Sequence, residues 1–531
     1  MSLKPCSQTL ILNPVLNTSI FQSESDQNSR VVKISLDALK KKTEFSGNKT
    51  RDFTILFTGD THSNLEPSVA SFVSEKPLGG VVRRIHYLEK FREESRTPVI
   101  LLEAGDILQG TPYFETYEGH PDVEFMNMAG YNVMTVGNHD FDNGWQHLEG
   151  LLKKGNFDSI CANIFRQGEM EPCLPPYTLL DIDGCKVAIV GLMGVSSWKS
   201  IRPSLCMGLE MKDPWETMDV LLPTIRPYVD LVILLSHSGI QEDRVFARHP
   251  MVDIIIGGHS HTLMTKHELV DNTPIFHGFR NGQLIGRMDV SFDETHIPRF
   301  DSSIQYLDEE FDTIDGRRVN EKAIARMKFL KQEMDRYNVV LGECIESLPT
   351  ENKGLSVVPI GEAITSIFRM AGEADIGIIP SGAIKVGIEK GPFNLGVVHR
   401  VLAHKEALWV VTIKGSLLLD LMLRGQERWG KQRTFQYSGI TFSSENEKIS
   451  KATVGDRNLD VTADYKVAGP SFFFEREFMD KEKRLLPEFR EEIKSIKEVF
   501  EDLREPFASI VTLHGIGRWV KGVQQKEVIN F

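Results

Sequence analysis

The chain has 531 residues, too many for one ordinary hydrophobic core, so at least two folding units are expected. Hydrophobic residues at 41% and charged residues at 25% give the balance of a folded, water-soluble protein and exclude extensive disorder. Acidic residues (74) outnumber basic ones (61), giving a formal net charge of -13, which disfavours a nucleic-acid polymer as partner but lets small anions approach a local cation.

In chain order, residues 1–50 read as an N-terminal extension with one strand near 31–34. Its apolar patch is short and broken by Asn13 and Pro14, which makes a poor signal peptide. No later segment reaches the about 18 uninterrupted apolar residues that cross a bilayer. Six cysteines, none in a Cys-x-x-Cys pair, read as free thiols of a reducing compartment. The expectation is a cytoplasmic protein without a membrane partner, its oligomeric state open.

From Phe53 the pattern changes to short apolar runs: FTILFT, VILLEA, NVMTVG, KVAIVGLMG, LVILLSH and VDIIIGGH. Runs rich in Val and Ile and bounded by Gly, Asp, Asn or His are the mark of buried strands. Helix-favouring stretches at 81–92 and 145–154 lie between them, so residues 51–310 read as an α/β domain with layered sheets. Residues 320–337, charged and without Gly or Pro, predict a helix within a linker at 311–338. A second domain at 339–531 follows, with a helix at 361–371 and strands at 376–379, 408–413 and 465–468. The charged stretch 481–504 has apolar residues at helical spacing and predicts an amphipathic surface helix.

The N-terminal runs end in residues that bind metals. The first leads to Asp60 and His62, the second to Asp106, the third to Asn138, His139, Asp140 and Asp142. Two later runs end at His237 and at His259-Ser260-His261. Residues two apart in extended chain face one side, so each Asp-x-His or His-x-His pair can converge. Taken singly, a Gly-Asp after a strand is a cap or a turn and a lone histidine is a satisfied core residue. Five such signals in succession, on a fold class that places sites beyond the carboxyl ends of its strands, point to one metal cleft. Carboxylate, amide and imidazole together suit Mn, Zn, Co or Fe, and the absence of cysteine argues against a structural zinc site. Other histidines, including His86, His147, His249, His267 and His277, read as surface or core residues.

In this order the motifs Asp-x-His, Gly-Asp, Gly-Asn-His-Asp, His and Gly-His-x-His resemble the calcineurin-like metallophosphoesterases. Within them the chain is most similar to the 5'-nucleotidase and UDP-sugar hydrolase family, across 51–300 and more weakly across 340–480. The resemblance implies an α/β protein: a layered α/β/β/α metallophosphoesterase domain followed by an α+β C-terminal substrate domain. It also implies two divalent ions bridged by Asp106, with Asp60, His62 and His261 on one and Asn138, His237 and His259 on the other. In the family's pattern His139, oriented by Asp142, stabilises the phosphoryl group during attack by a metal-activated water. The position of Asp142 also allows it to cap the helix starting near Gly144.

The C-terminal pattern departs from the family's. Pro380-Ser381-Gly382-Ala383-Ile384-Lys385 stands for Asn-Gly-Gly-Gly-Ile-Arg, and lysine lacks the bidentate fork of arginine. Ala403-His404 stands for Pro-Phe, so one base-stacking platform is an imidazole. Phe472 matches the other platform, but Phe473, Phe474, Glu475 and Arg476 replace the Gly-Gly-Asp-Gly that follows it. The expected reaction is hydrolysis of a phosphomonoester of a small metabolite, nucleotide or sugar-phosphate in type, with phosphodiester or nucleotide pyrophosphate hydrolysis as the alternative. Retention of the ligand types with His139 and Asp142 argues against a non-enzymatic binding protein.

Overall fold

The computed structural model describes residues 30–41, 52–70, 73–293, 297–313, 320–427, 434–445, 448–480 and 483–514. Most of the expected extension at 1–50 lies outside them, as does Cys6; its described part holds the strand Val31–Lys33 and the helix Leu36–Lys41. The chain divides into two compact units, Met1–Gln109 with Thr116–Phe329, and Gly110–Glu115 with Leu330–Phe531. Among the described residues no helix is long and apolar enough to cross a membrane, and no disulfide forms.

Two large sheets build the first unit. One runs Pro298–Tyr306, Leu284–Phe292, Phe53–Thr58, Val99–Glu103, Val133–Thr135, Asp158–Ile160 in spatial order. The other runs Val31–Lys33, Tyr177–Ile182, Cys185–Met193, Leu231–His237, Ile254–Gly257, Thr273–His277, Glu268–Val270. Phe53–Thr58 and Leu231–His237 are buried along their whole length, as central strands covered on both faces are, and this explains why they read as continuous apolar runs. Side chains of both sheets join in one core, where Phe57 and Phe276 meet edge to face at 5.2 Å. Helix Pro214–Ile225 packs on Cys185–Met193, its first turn capped by the Asp213 carboxylate, which accepts the Trp215 and Glu216 N–H groups.

Parallel register is what positions the site. Thr58 lies opposite Glu103, and Ser236 opposite Gly257, so the residues that follow each strand emerge together at one edge of their sheet.

The second unit is a five-stranded sheet in the order Phe435–Ser438, Ile376–Pro380, Asp464–Pro470, Leu408–Lys414, Ile493–Phe500. Alternation along its strands serves two cores. Ile379, Val410 and Ala468 pack with helices Pro359–Ala371 and Arg504–His514, while Ile378, Val411 and Val467 pack with helices Gly415–Glu427 and Ser471–Phe478.

The helix expected at 320–337 resolves into an α-helix, Glu321–Glu333, and a 3-10 turn, Met334–Asn338, with the Asn320 side chain accepting the Ala323 N–H. The helix expected at 481–504 does not form. Residues 481–482 lie outside the described set, and the rest contains a 3-10 turn and the strand Ile493–Phe500, which pairs antiparallel with Leu408–Lys414. Helical spacing misled here because Ile493, Ile496 and Val499 are β-branched and the sheet offered an open edge; Lys494, Lys497 and Glu498 now blunt that edge against further pairing.

Candidate metal centre and phosphoryl site

Asp60 and His62 follow the strand Phe53–Thr58, and His261 follows Ile254–Gly257. The His62 Nδ1–H donates to the Leu108 carbonyl at 3.1 Å, which leaves the Nε2 lone pair facing the cleft. That nitrogen lies 3.0 Å from His261 Nε2 and 4.0 Å from Asp60 Oδ1, and His261 Nε2 lies 3.4 Å from the same oxygen. Burial pushes the His62 ring down to about 3, so at neutral pH it presents a lone pair and no proton.

The second group is Asp106, His237 and His259, whose ligand atoms also converge. The His237 Nδ1–H donates to the Ala104 carbonyl at 2.7 Å, and Nε2 points at Asp106 Oδ2 from 3.2 Å without making a hydrogen bond. Burial opposes a charged ring, yet the Asp106 carboxylate outweighs it and lifts His237 to about 10. Burial likewise opposes the Asp106 anion, and His237 and His139 override it and hold the carboxyl well below its usual range. Burial and the neighbouring His237 drive His259 down to about 3. In the metal-free protein a proton on His237 balances the buried Asp106 carboxylate, and a divalent cation could take that place by displacing the proton. The donor set therefore fits two divalent ions.

Asp60, His62, Asp106, His259 and His261 all have φ between 49° and 76°, the left-handed region that few non-glycine residues occupy and in which Asp and His are over-represented. At Gly137 an added Cβ would lie 2.2 Å from Asp106 Oδ1 and 2.7 Å from the His237 ring, so the third loop can approach the ligands only as glycine.

Cross-ties fix the two groups together. Both Asp60 oxygens lie 3.0 Å from the His259 backbone N–H, and Asp106 Oδ1 accepts the His139 N–H at 2.6 Å. Asn138, 3% exposed, accepts the Ser197 hydroxyl on Oδ1 at 3.1 Å. Such partners orient ligands and tune their basicity. The His139 Nδ1 lies 3.1 Å from Asp142 Oδ2. Helix Trp145–Leu152 is capped at Gly144 with no side-chain hydrogen bond, so Asp142 faces His139 and does not cap.

The sequence places Asp140 among the residues that end the third run but does not show its role. Its fully buried carboxylate accepts the backbone N–H groups of Gly137, Ile107, Asp106 and Leu108 at 2.7, 2.9, 3.0 and 3.3 Å, binding the second and third loops to each other. Burial and the nearby Asp106 push it up to about 7. Its place in Gly-Asn-His-Asp was the available signal, but nothing in the pattern told which motif residue turns inward. Ser197 and Asp243 carry no motif signal, and His277, read from the sequence as a surface or core residue, is buried.

In the second unit, Lys385 follows the 3-10 turn Ser381–Ala383 at the end of Ile376–Pro380, and its N–H bonds the Val401 carbonyl. Phe472 opens helix Ser471–Phe478, just after Asp464–Pro470, which runs parallel to Ile376–Pro380. His404 precedes Leu408, and Leu408 pairs with Pro470. All three are thereby brought to one end of the five-stranded sheet, and all three are half-buried.

The calcineurin-like phosphoesterase pattern matches residues 53–263, and the 5'-nucleotidase C-terminal domain pattern matches residues 339–478. The chain belongs to the 5'-nucleotidase family of calcineurin-like metallophosphoesterases. Members of this family are metal-dependent phosphoesterases. A 5'-nucleotidase of Vibrio cholerae is 23% identical over 516 residues, covering 88% of this chain and 90% of that relative. A trifunctional nucleotide phosphoesterase protein of Bacillus subtilis is 29% identical over 70% of this chain, and the match spans 27% of that longer relative. The crystal structure of a 5'-nucleotidase precursor from Thermus thermophilus, 24% identical, superposes with a TM-score of 0.75 over 87% of this chain and 96% of its own, which establishes the two-domain fold for this metallophosphoesterase.

Proposed function

We propose that this metallophosphoesterase hydrolyses phosphomonoesters of a small metabolite, nucleotide or sugar-phosphate in type, at the cleft formed by Asp60, His62, Asp106, Asn138, His237, His259 and His261. The observation that carries the reading is the convergence of two groups of donor atoms, Asp60, His62 and His261 in one and Asp106, His237 and His259 in the other, with the buried His237 Nε2 3.2 Å from the Asp106 carboxylate. Asp60, His62 and His261 would hold one divalent ion, Asn138, His237 and His259 the other, and Asp106 both. When bound, two such ions activate a water as nucleophile and neutralise phosphoryl oxygens during in-line displacement.

The chain's own residues do the rest. Asp142 fixes the tautomer of His139 by accepting its Nδ1–H, so that Nε2 is the atom offered to the phosphoryl group or the leaving oxygen. Asp140 keeps the loops of Asp106 and His139 in fixed register, so the nucleophile's site and the proton donor do not drift apart.

At the substrate end, Lys385 supplies a point charge in place of a planar fork, and His404 is polar where a purine face would want aromatic surface; Ser381 is buried, its hydroxyl bonded to the Lys353 carbonyl, and does not face a ligand. Phe472 alone retains that surface, and stacking on one aromatic contributes about 1–3 kcal/mol per base. The reading is that a sugar phosphate or a phosphorylated hydroxy acid is hydrolysed at least as efficiently as AMP. Values of kcat/KM over a panel of such esters, AMP, UMP and bis(para-nitrophenyl) phosphate test it. A preference of 100-fold or more for a nucleotide over every sugar ester would overturn the substrate assignment, and faster turnover of the diester would overturn the monoesterase assignment.

A further inference from the structure

His277, which the sequence leaves as an isolated core histidine, is the last residue of Thr273–His277 and is 1% exposed. Its Nε2 lies 2.8 Å from Asp243 Oδ2, in helix Ile240–Phe246, and Asp243 is fully buried. The other Asp243 oxygen accepts the Ser236 hydroxyl at 2.6 Å, and the Ser238 hydroxyl lies 2.7 Å from that of Ser236. On the far side of the ring, His277 Nδ1 faces Ser260 Oγ at 3.5 Å. Ser260 Oγ also accepts the Ile240 N–H at 3.1 Å and lies 2.7 Å from Thr262 Oγ1.

The covalent neighbours of this chain of contacts give it a meaning. Ser236 and Ser238 flank His237, and Ser260 stands between His259 and His261. One buried hydrogen-bonded run therefore touches the residue next to each of the three imidazole ligands supplied by the second sheet. The pair packs directly on the strand backbone: a Cβ on Gly257, which pairs with His277, would lie 2.4 Å from Asp243 Oδ2 and 2.5 Å from His277 Nε2, so only glycine leaves room for it. His259 and His261 both have left-handed backbone, which few non-glycine residues adopt, and the run of contacts borders both of them.

We propose that Asp243 and His277 are positioning residues of the metal centre: their buried pair fixes the His259-Ser260-His261 loop and the end of the strand carrying His237. The inference rests on the reading of those three histidines as metal ligands. Removing a partner that orients ligands typically costs about 10- to 100-fold in metal affinity.

The test is a Mn2+ titration of the full-length wild type and of His277→Ala, His277→Gln and Ser260→Ala, after chelation, with thermal melting of each metal-free protein. His277→Ala is expected to bind Mn2+ about 10- to 100-fold more weakly. Glutamine keeps an N–H for Asp243, and His277→Gln is expected to recover affinity to within a few-fold of wild type. An alanine variant that melts lower but binds Mn2+ as tightly as wild type would show a merely structural role and overturn the proposal. If His277→Ala does not fold, Ser260→Ala decides: weaker Mn2+ binding at an unchanged melting temperature supports the proposal, and unchanged binding overturns it. Failure of the wild type itself to bind Mn2+ would instead remove the metal reading on which the proposal rests.

Discussion

Asp60, Asp106 and His237 in the first unit are at most 1% exposed, and they are tied to His259, His139 and Ala104 respectively through hydrogen bonds. Lys385, His404 and Phe472 in the second unit sit at an equivalent place, the end of a sheet, but half in solvent. The first arrangement admits one chemistry because each atom has one role left to play. The second admits many ligands, since a half-exposed lysine and imidazole can serve any anionic or hydroxylated group. In the proposed reading the first unit carries the reaction and the second inclines the substrate choice.

The largest effect should come from breaking the first region at its centre. Asp106→Asn removes the negative charge that both histidine groups and the His139 N–H rely on, and turnover should fall by about three orders of magnitude or more, with metal content reduced at both sites. Elemental analysis of the variant checks the second half: full metal content would reassign Asp106.

His139→Ala sharpens the boundary between holding metal and doing chemistry. Loss of about 100-fold in kcat with metal content near wild type is expected, the scale of one preorganised electrostatic or proton contact. Metal lost in proportion to activity would make His139 a ligand.

In the second region the same kind of change should move a different parameter. Lys385→Ala is expected to raise KM by about tenfold, the loss of one charge contact to a phosphate or carboxylate, while kcat and metal content hold. A fall in kcat at constant KM would put Lys385 in the chemical step.

This contrast also explains what could be read in advance. Asp60, His62, Asp106 and the later histidines were legible because each follows an apolar run, and parallel pairing of those runs leaves their ends side by side. Asp140 and the Asp243–His277 pair were not, because a buried carboxylate that binds backbone N–H groups or an imidazole leaves no periodic trace in the chain. The strand Ile493–Phe500 carries Ile493, Ile496 and Val499 at helical spacing, and only their β-branching and the open edge of Leu408–Lys414 select the strand.

A smaller effect separates stability from function within the first unit. Glu103 is fully buried, accepts the Thr58 hydroxyl at 2.6 Å, and is pushed by burial from 4.5 up to about 8 despite Thr58 and Arg84. The folded chain then keeps a proton that the unfolded chain releases, so this group's contribution to stability falls as pH rises from about 4.5 to about 8. Glu103→Gln, always neutral, should flatten that fall in the metal-free protein. Identical pH dependence of melting in wild type and variant would show that Glu103 is already ionised when folded.

The most direct test of the account is metal removal and return. Protein stripped with a chelator should hydrolyse para-nitrophenyl phosphate at no more than background, and adding Mn2+ should restore turnover as two equivalents per chain are bound. Stripped protein that hydrolyses the ester as fast as the untreated protein, or full activity at one equivalent, would contradict the two-metal reading.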